Sequence, residues 1–254
     1  MRWQQFAQKI ISECISLARV SKSPKTGLRV VSYHSVGGEA FGDDLGLSTI
    51  SIELFKQHAL HLANYKIITT NNCNPLNNQL SVAITFDDGY KDNLYTAAPI
   101  LLERSLPFTV FIATDLVSKK AFGFLTPNEL KELAKYPDIT IGAHGKTHIH
   151  LTKLKDSQIY SELRDSKSYL EDLLGIQVNS MSYPYGDVDE RVMYAADLAG
   201  YKYAFTSKFA INNSLTGRLN LNRCAILKGD STRTLIQKIN GDWDWRGMLG
   251  TNPV

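Results

Sequence analysis

Cysteine is scarce in this sequence, and the cysteines that occur lie far apart. They are Cys14, Cys73 and Cys224. An odd number of widely spaced cysteines supplies neither a disulfide framework nor a thiolate zinc cluster. Their scarcity excludes a small disulfide-bonded domain and predicts a reducing compartment.

Long apolar runs are also absent. No stretch reaches the roughly 20 apolar residues that cross a bilayer. Lys9, Glu13 and Arg19 interrupt the only early apolar pattern, which a secretion signal would leave unbroken. We therefore expect a soluble, cytoplasmic protein.

Neither sign of charge dominates. The 28 lysines and arginines and the 25 aspartates and glutamates give a formal charge of +3, which is too small to indicate a nucleic-acid partner. With 43% hydrophobic residues, the chain of 254 residues has the size of one α/β barrel, which commonly takes about 200 to 250 residues. Nothing in the sequence indicates an oligomeric state.

The N-terminal segment 2–20 has apolar residues at helical spacing. This pattern predicts an amphipathic helix that packs on the domain or on a partner subunit. Peripheral contact with a membrane surface is the less favoured alternative, because the polar face is not strongly basic. We divide the chain into helix and linker (1–27), a barrel (28–240) and a C-terminal tail (241–254), whose residues 242–245 are interpreted as packing or as an interaction tail.

From residue 28 onward, short apolar runs alternate with helical patterns, which is typical of an α/β barrel or a doubly wound sheet. The predicted strands are 28–33, 66–69, 81–86, 108–113, 139–143, 177–183, 204–206 and 224–227. The predicted helices are 52–63, 93–104, 127–134, 156–174, 188–199 and 232–239.

Two adjacent carboxylates follow the buried strand 81–86. Asp87 and Asp88 precede Gly89, which permits a sharp turn, and Asp92 and Asn93 are placed to cap the next helix. Barrel enzymes build their sites from the loops at the carboxyl ends of their strands. The acidic doublet therefore predicts an active site at this end of the sheet.

Two histidines at the end of strand 139–143 complete a set of metal ligands. His144 and His148 together with Asp88 would bind a divalent cation and leave coordination positions for water and substrate. Asp87 would then be the general base that takes a proton from water. His148 and His150 form a rival pair, because alternate residues of an extended segment point to the same side.

Other candidates carry a weaker signal. His58 and His61 lie in a predicted polar helix, so we expect them on the solvated surface. The segment 183–186, Tyr-Pro-Tyr-Gly, ends a third strand. A backbone N–H in this turn could stabilise an oxyanion, and its tyrosine rings could line a sugar-binding groove.

Three segments in this order resemble the successive motifs of the polysaccharide deacetylases of the NodB-homology type, or carbohydrate esterase family 4. They are TFDDGY at 85–90, HGKTH at 144–148 and YPYG at 183–186. The resemblance covers about residues 28–235 and implies a distorted (β/α)7-type barrel that removes an acyl group from an N-acylated sugar. Zinc is the metal it implies, with cobalt, nickel and manganese as alternatives.

The resemblance also assigns roles to individual residues. Asp87 corresponds to the catalytic base, and the metal ligands correspond to Asp88, His144 and His148. Tyr185 corresponds to the residue whose backbone N–H helps to hold the oxyanion.

Pro184 and Gly186 flank Tyr185 in the same motif. The early segment VSYHSV at 31–36 is similar to the first-strand segment of the poly-N-acetylglucosamine deacetylases, a subgroup with a permuted order of motifs. In that subgroup the histidine is the suspected general acid, so the resemblance makes His34 the candidate acid here.

The chain departs from the family pattern at three places. Ser182 stands where many relatives have an arginine, so we expect a different orientation of the base. The late Leu-x-His segment is missing, because 224–229 contains no histidine; the acid role then belongs to His34, or catalysis is weakened. No Asp-x-x-Asp-Trp element stands at its family position, so unusual substrate contacts are expected.

Together these expectations describe metal-dependent hydrolysis of the N-acetyl group of an amino sugar in a polysaccharide or a lipid-linked precursor of a bacterial cell-surface glycan. Hydrolysis of an N-formyl sugar or of a non-sugar amide is the alternative reaction. A glycan-binding module that keeps the metal without turnover is the non-enzymatic alternative. The expected partner is the glycan or lipid-linked sugar, and no nucleic acid.

Overall fold

The computed structural model describes residues 2–18, 26–40, 43, 46–73 and 79–249. Within them, strands alternate with helices along the chain. The strands are β1 (Gly27–Tyr33), β2 (Ser35–Val36), β3 (Thr49–Ile50), β4 (Lys66–Ile68), β5 (Leu80–Phe86), β6 (Phe108–Ile112), β7 (Ile139–Ala143), β8 (Ser180–Ser182), β9 (Tyr203–Phe205) and β10 (Cys224–Ala225). The helices are α1 (Arg2–Ala18), α2 (Ile52–Leu62), α3 (Ala98–Leu102), α4 (Thr114–Ser118), α5 (Pro127–Leu133), α6 (Asp156–Leu174), α7 (Glu190–Leu198), α8 (Thr232–Asn240) and α9 (Trp245–Met248).

Eight of the strands form one parallel sheet. Its order is β10-β1-β5-β6-β7-β8-β9. The remaining strand, β4, pairs with the first half of β5, and β6 pairs with the last residues of β5 on the same side. A bridge between Phe205 and Leu221 connects the segment before β10 back to β9, so the sheet curls round. The fold is the distorted (β/α) barrel that the motifs implied, and this prediction is confirmed.

Burial on both faces explains the apolar composition of the strands. β1 and β6 are buried along their whole length, as expected for parallel strands covered by helices. Side-chain oxygens close the amino ends of several helices by accepting backbone N–H bonds. The capping residues are Ser51, Thr126, Asp189 and Ser231.

The predicted elements agree with the structure best where the sequence pattern is long. Helix α6 has the predicted bounds, whereas the predicted strand 177–183 shortens to β8. The predicted helix 93–104 begins as a π-helical segment, Asn93–Ala97, before α3. The prediction that Asp92 caps this helix is wrong, because Asp92 makes no capping hydrogen bond. Its carboxylate instead accepts hydrogen bonds from the segment after β1.

The expectation that His58 is solvated is also wrong. Its side chain is fully buried, and Nδ1 lies 3.1 Å from the hydroxyl of Tyr33. His58 belongs to the face of α2 that also buries Phe55, Ala59 and Leu62, which is the spacing of an amphipathic helix. His61, on the same helix, is partly exposed.

Helix α1 contacts the C-terminal part of the chain. Lys9 Nζ donates to the carbonyl of Gly229, and the indole of Trp245 donates to Ser12. Trp243 is buried, and Asp244 pairs with Arg29 on β1. Packing therefore accounts for segment 242–245, whereas most of the predicted linker lies outside the described residues. None of the described helices is long and apolar enough to cross a membrane.

Candidate active site

All of the predicted site residues except Pro184 line a cavity of about 300 Å³ at the carboxyl ends of the strands. β1, β5, β7 and β8 each contribute the residues that follow them. The cavity is lined by His34, Asp87, Asp88, His144, His148 and Tyr185, among others.

A tight turn after β5 separates the two carboxylates. The N–H of Asp87 donates to the carbonyl of Tyr33, which ties the turn to the end of β1. Asp88 and Gly89 both have left-handed backbone, with φ of 71° and 85°. A Cβ on Gly89 would come within 2.8 Å of Ile112, so the turn requires glycine there.

Asp88, His144 and His148 form a compact group of potential metal ligands. One ligand atom from each lies within 4.8 Å of the other two. Asp88 Oδ1 is 3.5 Å from Nε2 of His144 and 3.2 Å from Nε2 of His148. No other group of this kind occurs in the part of the chain that the structure describes.

The surroundings of this group fit a divalent cation. Nδ1 of His144 is 2.8 Å from the carbonyl of Ser182, which directs Nε2 toward Asp88. Asp88 Oδ1 is buried and accepts no hydrogen bond from the described residues. An orphaned carboxylate oxygen beside two imidazole nitrogens is the donor set of an open catalytic metal site.

The protonation states of His144 and Asp88 favour the same interpretation, whereas the carboxylate of Asp88 outweighs burial and raises the pKa of His148, whose proton a bound metal would replace. Burial lowers the pKa of His144 to about 4, so its ring is neutral near pH 7. Burial opposes the ionisation of Asp88, but the neighbouring His148 outweighs this effect and lowers the pKa of the carboxyl below its usual range. A neutral imidazole and an ionised carboxylate are the forms that bind metals.

Arg223 holds Asp87 in a buried, two-pronged ion pair. Nη1 lies 2.7 Å from Oδ1 and Nη2 lies 2.8 Å from Oδ2, and the two residues are 2% and 3% exposed. Burial alone would raise the pKa of Asp87, but Arg223 outweighs it and lowers that pKa. Ser182 joins the pair, because its hydroxyl accepts a bond from Arg223 Nη2 at 2.8 Å.

The sequence indicates the loss of the family arginine at position 182 but does not reveal that Arg223 takes its place beside Asp87. Arg223 stands directly before the predicted strand 224–227, which would put it at the end of the sheet opposite the site. The pairing of Val31 with Cys224 instead sets β10 beside the last residues of β1, and this brings Arg223 to Asp87. A charged residue directly before an apolar run was the only available signal.

His34 lies directly after β1 and lines the cavity. Its carbonyl accepts a bond of 2.9 Å from the side-chain amide of Asn93. Its ring nitrogen Nδ1 is buried and has no hydrogen-bond partner within the described residues. The structure therefore places this imidazole in the same cavity as Asp87 and Asp88.

The segment after β8 forms a 3₁₀ turn, Pro184–Gly186, at the mouth of the cavity. Tyr185 has a φ of 59°, and Gly186 has a φ of 64° with no room for a Cβ beside Ser207. The ring of Tyr185 stacks on His150 at 4.3 Å. Nδ1 of His150 lies 3.6 Å from Oδ2 of Asp187, and His150 is not part of the ligand group. The structure therefore brings His144 and His148 together at Asp88, rather than His148 and His150.

Comparison with known proteins gives the family. The family model for polysaccharide deacetylases matches residues 76–204. YxkH of Bacillus subtilis (strain 168), named provisionally as a polysaccharide deacetylase, is 29% identical over 210 residues, which are 80% of this chain and 73% of that protein.

Two further relatives extend the comparison. The poly-β-1,6-N-acetyl-D-glucosamine N-deacetylase of Staphylococcus aureus (strain MSSA476) is 30% identical over 141 residues. That match covers 50% of this chain and only 47%, about half, of the relative. A crystal structure of a polysaccharide deacetylase from Bacillus cereus superposes with a TM-score of 0.73 at 25% identity, covering 84% of this chain and 69% of that one.

The curled parallel sheet and the cluster of carboxylates and histidines at its carboxyl end define a barrel hydrolase. Within that class, the chain belongs to the polysaccharide deacetylase family. It is a hydrolase of carbon–nitrogen bonds other than peptide bonds.

Proposed function

We propose that this chain removes the N-acetyl group from an amino sugar in a polysaccharide or a lipid-linked glycan and that it needs a divalent metal, most readily zinc. The observation that carries the proposal is the convergence of the Asp88, His144 and His148 ligand atoms beside the Asp87–Arg223 pair. Two imidazoles and one carboxylate suit zinc, and also cobalt or nickel, whereas manganese prefers oxygen ligands. The bound ion would polarise the acyl carbonyl and lower the pKa of a water molecule.

In the proposed mechanism Asp87 takes the proton of the attacking water. Arg223 keeps the carboxylate ionised and fixes its direction through two hydrogen bonds. The backbone N–H of Tyr185 stabilises the developing oxyanion, and Pro184 and Gly186 hold the turn that presents it. His34 gives a proton to the departing amine nitrogen.

The choice of substrate rests on the relatives. The name of the Staphylococcus aureus relative specifies a β-1,6-linked N-acetylglucosamine polymer, so oligomers of this sugar are the first substrate to test. The same site chemistry would serve an N-formyl sugar. The cytoplasmic location and membrane contact through residues 2–20 stay predictions, which cell fractionation tests.

One reason for a binding module without turnover no longer applies. That alternative rested in part on the lost arginine at position 182, and Arg223 supplies a guanidinium to Asp87 from another strand. The missing late histidine is the remaining argument for it.

The test is acyl release by purified protein of known metal content. We expect acetate release from N-acetylglucosamine oligomers that stops when a chelator removes the metal. Asp87→Asn should lower kcat by at least about 100-fold, the usual contribution of a general base, and His148→Ala should abolish metal retention. His150→Ala, which changes a histidine outside the ligand group, is the matched control and should retain the metal.

Two results would overturn the proposal. One is metal-loaded protein that releases neither acetate nor formate from any amino sugar while it still binds the oligomers, which is the behaviour of a binding module. The other is release from simple non-sugar amides alone, which would establish the alternative hydrolase.

A further inference from the structure

Two consecutive side chains hold the three residues that follow β1. Asn93 Nδ2 donates to the carbonyl of His34 at 2.9 Å. Ser35 Oγ donates to Asp92 Oδ2 at 2.7 Å, and the N–H of Val36 donates to Asp92 Oδ1 at 3.0 Å. Segment 34–36 is therefore fixed at three successive positions from one place on the chain.

Asp92 and Asn93 are also bonded to each other. The second N–H of the Asn93 amide donates to Asp92 Oδ1 at 3.0 Å. A Cβ on Gly38 would come within 2.5 Å of Asp92 Oδ2, so the segment after β2 packs closely against the carboxylate. The two side chains and segment 34–38 form one packed unit.

This arrangement does little for the helix in which the two residues lie. Asp92 occupies the position before the π-helical segment but caps no N–H there. Asn93 is fully buried, and its Oδ1 accepts no hydrogen bond from the described part of the chain. A buried amide oxygen without a partner is unfavourable for folding. We therefore assign the role of Asn93 to its hydrogen bond with segment 34–36.

The ring of His34 is not oriented by a hydrogen bond at Nδ1. Its Nδ1 has no partner among the described side chains, so this nitrogen fixes neither the ring angle nor the tautomer. The loop that carries Asp87 and Asp88 is the same loop that continues to Asp92 and Asn93. It is tied to β1 a second time where the N–H of Asp87 donates to the carbonyl of Tyr33.

We propose that Asp92 and Asn93 are positioning residues for His34 and that they set the distance between its imidazole and the metal-binding loop. The inference rests on the proposed function, in which His34 protonates the departing amine. We call the bonds of Asp92 and Asn93 to segment 34–36 the clamp. Loss of the clamp would leave binding of the acyl group intact but would misplace the proton donor. The defect would then appear only when the leaving group needs a proton.

The test compares two leaving groups on metal-loaded protein. An N-acetylglucosamine oligomer releases an amine, which must be protonated, whereas 4-nitrophenyl acetate releases a phenolate, which need not be. For His34→Ala, Asn93→Ala and Asp92→Ala we expect kcat on the amide to fall by about 10- to 100-fold. We expect KM to change by less than about twofold and kcat on the ester by less than about threefold, because the remaining catalytic groups are untouched.

Asn212→Ala is the matched control. Asn212 is also fully buried and also donates to a carbonyl of β1, that of Leu28 at 3.2 Å, but at the far end of the strand. This variant should lose stability without changing the ratio of amide to ester turnover. Thermal unfolding of all variants separates loss of fold from loss of positioning.

The outcomes are distinguishable. If wild-type protein hydrolyses the amide and Asn93→Ala loses both activities equally, or loses no more than Asn212→Ala, the clamp is structural only and the inference is wrong while the function stands. If His34→Ala keeps the wild-type ratio, the inference also fails. If wild-type protein hydrolyses only the ester, the proposed function itself fails, and the inference with it.

Discussion

Backbone strain is concentrated at individual residues of the candidate site. Five non-glycine residues in the described part of the chain have positive φ, and three of them are Asp88, His148 and Tyr185. Left-handed backbone is unfavourable for side chains with a Cβ, so it persists where the surrounding structure imposes it. Here it directs two proposed metal ligands and the proposed oxyanion residue toward one cavity.

At the same scale, the arginine paired with the base should be sensitive to geometry as well as to charge. Arg223→Lys keeps a positive charge but loses the fork that bonds to both oxygens of Asp87. We expect a folded protein whose kcat for acetyl release is lower by about 10- to 100-fold. Steady-state kinetics with thermal unfolding of the same samples checks this.

Arg223→Ala should behave differently from Arg223→Lys. It leaves the carboxylate of Asp87 buried without its counter-charge, which typically costs about 3 to 5 kcal/mol in the free energy of unfolding. Arg191→Ala, which removes an exposed arginine that pairs with Asp156 and Asp189, should cost much less, because exposed ion pairs contribute little to stability. Equal losses in the two alanine variants would show that the buried pair stabilises the fold no more than a surface pair does.

At the scale of elements, the curled sheet explains how one arginine replaces another. β10 is only two residues long and pairs with the last part of β1. Because of this register, the guanidinium of Arg223 lies beside both Asp87 and the small side chain of Ser182 on β8. Only β1 separates β10 from β5 in the sheet, and Arg223 also reaches across to the segment after β9, where its Nε donates to the carbonyl of Thr206 at 2.9 Å.

Helix α2 carries a buried histidine that should make stability depend on pH. Burial lowers the pKa of His58 from 6.5 to about 4, so the unfolded chain binds the proton before the folded one does. The stability that the neutral ring contributes is complete above about pH 6.5 and is lost as the pH falls toward 4. The expected loss in the free energy of unfolding is on the order of 3 kcal/mol.

The measurement is urea denaturation between pH 7 and pH 4. His58→Gln should remove this part of the pH dependence, because glutamine can still bond to the Tyr33 hydroxyl but does not titrate. His61→Gln changes the partly exposed histidine of the same helix and should keep the wild-type slope. An unchanged slope in His58→Gln would assign the pH dependence to other groups.

On the scale of the whole molecule, a second buried arginine ties the C-terminal segment to the sheet. Arg29 on β1 is fully buried, bonds to both oxygens of Asp244 at 2.9 and 3.0 Å, and donates to the carbonyl of Ile239 at the end of α8. Helix α1 contacts the same region through Trp245. The first strand and the last helices are thereby joined into one body.

The buried Arg29–Asp244 pair should contribute more to the free energy of unfolding than a surface ion pair does. Asp244→Ala leaves the charge of Arg29 buried, and we expect a loss of about 3 to 5 kcal/mol in the free energy of unfolding. Asp197→Ala, which breaks the exposed pair with Arg218, should lose less than about 1 kcal/mol. The double variant Arg29→Met/Asp244→Ala should recover part of the loss; no recovery would mean that the effect of Asp244→Ala is not due to the buried charge.

The sequence by itself determined the parts that depend on neighbours along the chain. Alternating apolar runs predicted the parallel strands and most helices, because burial on both faces leaves a local pattern. Gly89 and the strand before it placed Asp87 and Asp88 at a turn, and the histidine spacing predicted which side chains would meet Asp88. Each of these patterns spans a few residues, and the rule that the carboxyl ends of parallel strands form the site brought Asp88 and the two histidines together.

Only the tertiary structure decided the contacts between distant residues. Arg223 and Asp87 are 136 positions apart, and their pairing follows from the register of a two-residue strand, which no local pattern encodes. The clamp of Asp92 and Asn93 on segment 34–36 and the buried Arg29–Asp244 pair are of the same kind. Such contacts depend on how the sheet curls, because curvature decides which strand ends share a cavity.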